Sequence, residues 1–114
     1  MHETSIVINI LETVTTQCRR DGYKKINSIR LKIGKASHIL ADSLQFAFEI
    51  IREDTIAKDA ELIIETIPLT ARCKSCSHEF DTSQQLVFEC PACTSKSFEI
   101  ISGYEMEIVD MEVD

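Results

Sequence analysis

At 114 residues, the chain fits one domain or one domain with a small satellite, and its hydrophobic fraction of 44% is ordinary for a globular protein. No apolar stretch approaches the ~20 residues of a membrane-spanning helix and no secretory signal is evident, so we expect a cytoplasmic protein that does not act in a membrane. The formal net charge of −7 argues against nucleic acid as the main partner.

The first predicted element is a helix from about Thr4 to Arg20. Its apolar residues recur at helical spacing and form one stripe: Val7, Ile10, Leu11, Val14 and Cys18. Gly22 follows the stripe, and glycine suits the left-handed residue that often ends a helix. The thiol of Cys18 is expected to be buried in the core and unreactive.

Two strands and a second helix are predicted next. Residues 28–34 alternate between polar and apolar and predict a half-buried strand that ends at Gly34. Asp42, with Gln45 three residues later, is typical of an N-cap with a partial capping box, and the helix would extend to about residue 54. Residues 60–67 are rich in isoleucine and predict the second strand.

The C-terminal segment again alternates and predicts a third strand, so the order is helix, strand, helix, strand, insert, strand. This order predicts an α+β fold in which two amphipathic helices pack on a three-stranded sheet. We assign residues 1–68 and 99–114 to that domain and residues 69–98 to an inserted one. The insert has too few apolar residues to form a core, so another interaction must stabilise it.

The insert carries two C-x-x-C pairs, CKSC and CPAC, separated by 13 residues. Two intervening residues allow a tight turn that directs both thiolates to one point, and the 13-residue spacer allows a hairpin to bring the second pair round. A disulfide is not expected in a reducing cytosol. The pattern therefore predicts a structural, zinc-ribbon-like Zn(II) site formed by Cys73, Cys76, Cys90 and Cys93.

Charge is unevenly distributed along the chain. Seven basic residues and one acid lie between Arg19 and Lys35, whereas six acids and no base lie between Glu99 and Asp114. The basic segment is interpreted either as a solvated face docked near the acidic tail or as a docking patch for another protein.

The start of the chain, Met1-His2-Glu3, offers a second group of metal ligands. The α-amine and the His2 imidazole flank one peptide N–H, so three nitrogens can close two chelate rings round one ion. The amide of Glu3 or a side chain would add a further ligand. A nitrogen-rich set suits Ni(II) or Cu(II). A histidine placed here by chance is the alternative, and spacing alone does not decide between the two.

Several of these motifs together resemble the HypA family of hydrogenase maturation proteins. They are the start MHE, the stretches IRLKIG and SLQFAFE, and the CKSC and CPAC pairs followed by an acidic C-terminal strand. The resemblance runs from Met1 to about Val113. It implies a small nickel metallochaperone with an N-terminal nickel site and a zinc domain.

Carried over to this chain, the resemblance implies a nickel site at the Met1 amine, the His2 imidazole and amide, and the Glu3 amide. The four paired cysteines become the zinc site. The implied partners are the large subunit of a nickel–iron hydrogenase, a hydrogenase-maturation accessory GTPase and, in some relatives, urease accessory proteins. The protein would be a carrier and not an enzyme, since no acid–base pair has a suitable spacing.

The chain departs from the family pattern beside the cysteines. Some relatives carry a histidine just beyond each C-x-x-C, but here His78 follows the first pair and Thr94 follows the second. A zinc site switched by histidine is therefore not expected, and His78 is interpreted as a surface residue or a neighbour of the site. Relatives often have glycine where Thr94 stands, and threonine tolerates a positive φ poorly. His38 is interpreted as a solvated loop residue, with a spare nickel ligand as the alternative.

The alternative function is a zinc-ribbon adaptor or a nucleic-acid-binding accessory module. It would require a basic surface bearing aromatic residues on the ribbon. Residues 72–98 place Arg72, Lys74 and Lys96 against three acids, so the sequence does not indicate such a surface.

Overall fold

The computed structural model describes residues 2–82 and 89–114, without the side chain of His2. Within these residues, two helices combine with six strands. The helices are α1 (His2–Asp21) and α2 (Ala41–Ile51), and the strands are β1 (Ile26–Gly34), β2 (Glu61–Ile67), β3 (Thr70–Cys73), β4 (Glu79–Asp81), β5 (Phe98–Ser102) and β6 (Met106–Val113). The strands form two sheets, in the orders β2-β1-β6 and β4-β3-β5. This is the α+β class that the sequence predicts.

The chain divides into two compact units. The helix–sheet unit comprises Met1–Lys32, Ile39–Glu65 and Glu107–Asp114, and the cysteine unit comprises Ile33–His38 and Thr66–Met106. The cysteine unit therefore takes in more of the chain than the predicted insert 69–98, because it includes the end of β1 and all of β5.

An apolar core holds the helix–sheet unit together. The stripe predicted on α1 is buried along its length, and Leu44 and Phe48 of α2 are buried with Ile29 and Leu31 of β1. No charged or polar residue is buried anywhere in the described part of the chain. None of the described helices is long and apolar enough to cross a membrane.

The two helix ends differ in how well the sequence predicts them. Gly22 has a φ of +81° and follows the last turn of α1, as expected. The prediction that Asp42 is the N-cap of α2 is wrong. The N-cap residue is Leu40, which makes no side-chain cap, and Asp42 lies in the first turn. There its carboxylate still faces the electropositive helix end. Gln45 does not complete a capping box, because its Nε2 donates to the Leu62 carbonyl at 2.6 Å.

The basic segment and the acidic tail meet along β1 and β6. The N–H groups of Lys24 and Lys25 donate to the Asp114 carbonyl at 2.8 and 3.3 Å. The Arg30 side chain lies 3.6 Å from the Asp110 carboxylate, with both side chains about half exposed. Of the two interpretations of the basic segment, the solvated face beside the tail is the one that these contacts support, and such an exposed ion pair adds little stability.

The cysteine unit has a much smaller apolar cluster. Strand β3 is central, and Ala71 lies opposite Phe80 of β4 and Ile100 of β5. The buried cluster consists of Ala71, Phe80 and two of the cysteines, with Phe98 packed against it. The rings of Phe80 and Phe98 meet edge to face with centroids 5.7 Å apart.

Residues 33–38 are hydrogen-bonded through their backbone to the rest of this unit. The N–H of Gly34 donates to the Glu105 carbonyl and the N–H of Ala36 to the Gly103 carbonyl, each at 2.8 Å. A Cβ atom at position 34 would overlap the carbonyl of Gly103, so the close approach of these two segments of the chain requires glycine there.

Candidate metal centre

The four paired cysteines converge on one point. Their sulfur atoms all lie within 4.8 Å of one another. Two short distances join the pairs, 3.5 Å between the sulfurs of Cys73 and Cys93 and 3.6 Å between those of Cys76 and Cys90. Four sulfurs held tetrahedrally at about 2.3 Å from a zinc ion lie ~3.8 Å apart, so the spacing fits that ion.

The first pair is shaped by a turn that directs backbone N–H groups at a sulfur. The N–H groups of Ser75 and Cys76 point at the Cys73 sulfur, at 3.3 and 3.5 Å. The turn closes where the N–H of Ser77 donates to the Cys73 carbonyl at 3.0 Å. N–H donors of this kind stabilise a thiolate, which is the form that binds a metal.

The second pair repeats this turn. The N–H of Ala92 points at the Cys90 sulfur at 3.4 Å, and the N–H of Thr94 donates to the Cys90 carbonyl at 2.8 Å. The hydroxyl of Ser75 donates to that of Ser95 at 3.0 Å and so links the two turns. The C-x-x-C spacing therefore produces two equivalent turns that face each other.

Both turns end on a residue with positive φ that is not glycine. Ser77 has a φ of 65° and Thr94 a φ of 61°. Left-handed backbone costs roughly 1–2 kcal/mol for a residue with a Cβ, and a β-branched side chain fits it worst. Thr94 therefore adopts the conformation that its residue type tolerates poorly, and the turn imposes that cost.

The pKa values show that the four sulfurs cannot all ionise unaided. The Cys76 N–H, opposed by burial and assisted by the Ser75 N–H, lowers the pKa of Cys73 from 9.0 to about 6. The pKa of Cys93 rises to about 12: the Ser95 N–H lowers it, but the sulfurs of Cys73 and Cys76 raise it more. Four adjacent thiolates thus need a cation among them, and a soft divalent ion such as zinc matches four sulfur ligands.

The pKa of Cys76 is also raised. A hydrogen bond from the His78 N–H lowers it, but loss of solvation and the sulfurs of Cys90 and Cys73 outweigh that bond. At neutral pH, therefore, binding of a metal ion at this cluster must displace protons from at least Cys76 and Cys93.

Cys18 and His38 do not belong to the cluster, and His78 contacts it through its backbone. Cys18 is buried with its sulfur 3.9 Å from that of Met111, and burial, then Asp21, raises its pKa. The His78 ring stacks on that of Phe80 with centroids 6.1 Å apart. The backbone carbonyl of His78 accepts a hydrogen bond from the Cys73 N–H. His38 is exposed with a φ of 65°. Among the described side chains, which do not include that of His2, the four cysteines are the only group of three or more His, Cys, Asp or Glu residues close enough to share a metal ion.

The predicted nickel ligands lie at the start of α1. Met1 and the His2 side chain fall outside the described residues. Helix α1 begins at His2, and Glu3 is half-buried in its first turn.

A groove beside this helix end was not predicted. It has a volume of about 530 Å³ and lies between the first turn of α1, at Glu3 and Thr4, and the length of α2. Phe46 and Ile50 of α2 line it and are 67% and 57% exposed. They are four residues apart and lie off the buried stripe of α2, which is the signal in the sequence that indicates a second apolar face.

The nucleic-acid alternative gains no support from the described part of the cysteine unit. Arg72 is engaged by two acids, Glu79 at 3.5 Å and Glu99 at 3.7 Å. The rings of Phe80 and Phe98 are buried and half-buried, so they are turned inward and not presented for stacking on bases.

Comparison with known sequences gives a consistent result over the whole chain. The profile of a family described as hydrogenase/urease nickel incorporation, metallochaperone, HypA matches residues 1–113. The hydrogenase maturation factor HypA of a Picosynechococcus species is 38% identical over 113 residues, which cover 99% of each chain. That of Chloroflexus aggregans is 38% identical over 112 residues and 98% of each chain.

Solved structures give the same result. The solution structure of the Ni metallochaperone HypA from Helicobacter pylori covers 97% of this chain and 96% of its own, with a TM-score of 0.67 and 29% identity. The solution structure of another HypA protein covers 99% of this chain and 96% of its own, with a TM-score of 0.74 and 31% identity.

Proposed function

Because this chain belongs to the HypA family, we propose that it carries Ni(II) on Met1, His2 and Glu3 and delivers the ion during maturation of a nickel–iron hydrogenase or of urease. The observation that carries the proposal is that α1 begins at His2, so that the family's nickel-binding end is also a helix end. The ion is the cargo of the protein and not a resident cofactor.

A helix end supplies what this kind of ligand set needs. The first N–H groups of a helix have no partner within it, so the amides of His2 and Glu3 are not tied up in α1. The electropositive end of the helix also favours an amide nitrogen that has lost its proton. Amine, imidazole and deprotonated amide nitrogens then bind Ni(II) in competition with protons, so the affinity should fall as the pH drops below about 6.5–7.7.

Zinc takes the other role in this proposal. Cys73, Cys76, Cys90 and Cys93 would hold Zn(II) as a structural ion, since four thiolates leave no position open for substrate or water. The ion would neutralise the four charges that the turns bring together. Neither metal site would then catalyse a reaction.

The partners follow from the cargo. The acceptor would be the large subunit of the hydrogenase, with an accessory GTPase in the same transfer and urease accessory proteins as the corresponding partners on the urease route. A terminal site suits such a transfer, because its ligands can be exchanged for those of an acceptor without opening a folded core.

The test is a nickel titration of untagged protein whose intact mass confirms that Met1 is the first residue. His2→Ala should weaken Ni(II) binding by at least tenfold, and so should acetylation of the Met1 amine, because the chelate needs the free amine next to His2. His38→Ala and His78→Ala are the matched controls and should bind nickel as the native chain does. If His2→Ala or the acetylated chain kept the native affinity, the proposed site would be wrong.

A further inference from the structure

The groove between α1 and α2 is an apolar feature that the proposed function leaves unused. It follows α2 from Asp42 to Ile51, a distance of ~14 Å at 1.5 Å per residue, or about two and a half helical turns. Its most exposed walls are Phe46 and Ile50, two bulky side chains one turn apart. Exposed apolar side chains that line a groove can bury the apolar side chains of a partner.

The charge of the groove is of one sign. Glu3 and Asp42 line it, and no lysine or arginine is found among the described residues that line it. Helix α2 has no basic residue, and the first one after it, Arg52, donates to the Ala60 carbonyl and lies over the Phe48 ring at 5.6 Å. A partner that fills this groove must therefore bring positive charge as well as apolar side chains.

The walls also restrict the backbone conformation of the partner. Both are helices, whose backbone groups are hydrogen-bonded internally, so an added strand would find no free edge there. A helix laid in the groove satisfies its own backbone and reaches the walls with side chains three or four residues apart.

We propose that the groove lined by Glu3, Asp42, Phe46 and Ile50 docks an amphipathic helix of a partner protein that carries two bulky apolar side chains one turn apart and a flanking lysine or arginine. The proposal rests on the proposed function in one respect, because Glu3 belongs both to the groove and to the nickel-binding end. Docking there places the partner beside the cargo at the moment of transfer.

The test uses a synthetic helical peptide of about 14 residues with leucines at positions i and i+4 and lysines on the adjoining turns. We expect the peptide to shift the amide resonances of Thr4, Phe46 and Ile50. Phe46→Asp should weaken its binding at least tenfold, and Asp42→Asn severalfold with a smaller dependence on salt. Tyr104→Asp is the matched control, since Tyr104 is 64% exposed in the cysteine unit, and it should bind the peptide as the native chain does.

Three outcomes would overturn the proposal. The first is equal binding of a scrambled peptide whose leucines do not share a face. The second is native affinity in Phe46→Asp. The third is a dimer in sedimentation that Phe46→Asp dissociates, which would assign the groove to a second copy of this chain. Nickel titrations keep this test separate: Phe46→Asp should bind Ni(II) normally, and His2→Ala should still bind the peptide.

Discussion

The two units of this protein are stabilised in opposite ways. The helix–sheet unit buries a long stripe of α1 against α2 and β1, with no polar residue in its core. The buried cluster of the cysteine unit contains Ala71, Phe80 and two cysteines, and those cysteines are also metal ligands in our proposal. Apolar burial can hold the first unit without help, whereas in the second the ligands replace most of a core.

This difference suggests that one small protein can retain a structural ion in one unit and bind an exchangeable ion in the other. The sulfur cluster is enclosed by two matching turns with backbone donors, an arrangement that retains an ion. The proposed nickel site lies instead at a chain end, where ligands are few and accessible. The following predictions test the difference between the units, from the largest expected effect to the smallest.

Removal of the metal should separate the two units most clearly. Chelation withdraws the ~10–16 kcal/mol that zinc contributes in zinc-finger peptides, so the cysteine unit should lose its amide dispersion while the helix–sheet unit keeps its own. Two-dimensional amide NMR before and after chelation measures this. Cys90→Ser should reproduce the effect and Cys18→Ala should retain the metal, and a dispersed cysteine unit after chelation would contradict the account.

Truncation of the apolar core should affect the other unit. Phe48 is 1% exposed, so Phe48→Ala should lower the free energy of unfolding of the helix–sheet unit by about 3–5 kcal/mol. Phe46→Ala, two residues away and 67% exposed, should lower it by less than about 1 kcal/mol. Urea unfolding followed by helical circular dichroism compares them. Equal losses in the two variants would show that the groove side of α2 is part of the core.

Acid should weaken only the cysteine unit. The pKa of the Cys73 thiol is lowered from 9.0 to about 6 in the folded protein. Its ionisation therefore stabilises the folded state above pH 9.0, and this contribution is lost as the pH falls through about 6. Metal binding also displaces protons from at least Cys76 and Cys93, whose pKa values are raised, so the metal affinity should fall by at least about a hundredfold per pH unit near neutrality. Competition with a chromophoric chelator between pH 6 and 8 measures the slope. A slope near zero would mean that the thiols are already ionised.

Glycine in place of Thr94 should give the smallest effect, and a stabilising one. Thr94→Gly removes a β-branched residue from a φ of 61° and should stabilise the metal-bound cysteine unit by about 1–2 kcal/mol. Ser77→Gly, at the equivalent turn, should stabilise the unit less, since serine is not β-branched. Thermal unfolding of the metal-bound protein ranks the variants. A destabilised Thr94→Gly would show that the threonine makes a contact worth more than its backbone cost.

The sequence predicted well those features that depend on neighbours along the chain. The stripe of α1, its end at Gly22 and the convergence of the four cysteines all follow from spacing of a few residues. The capping box at Asp42 failed because Gln45 binds Leu62, a residue 17 positions away, and local propensity cannot anticipate such a contact.

Three features set by contacts distant in sequence were not predicted. The second sheet pairs β3 with β5, which joins residues 70–73 to residues 98–102. Sulfur distances of 3.5 Å from Cys73 to Cys93 and 3.6 Å from Cys76 to Cys90 join the two pairs, and the C-x-x-C spacing does not predict which sulfurs approach each other. The groove at Phe46 was missed because one apolar stripe on α2 already accounted for the helix.

The glycine at position 34 has a consequence for dissecting the protein. Residues 33–38 donate to the carbonyls of Glu105 and Gly103, so the cysteine unit is assembled from two stretches of chain far apart in sequence. A peptide of residues 66–106 would contain all four sulfurs of the cluster. It would still leave those two carbonyls without their donors. Fragment studies of metal affinity should therefore use the uncut polypeptide as their reference.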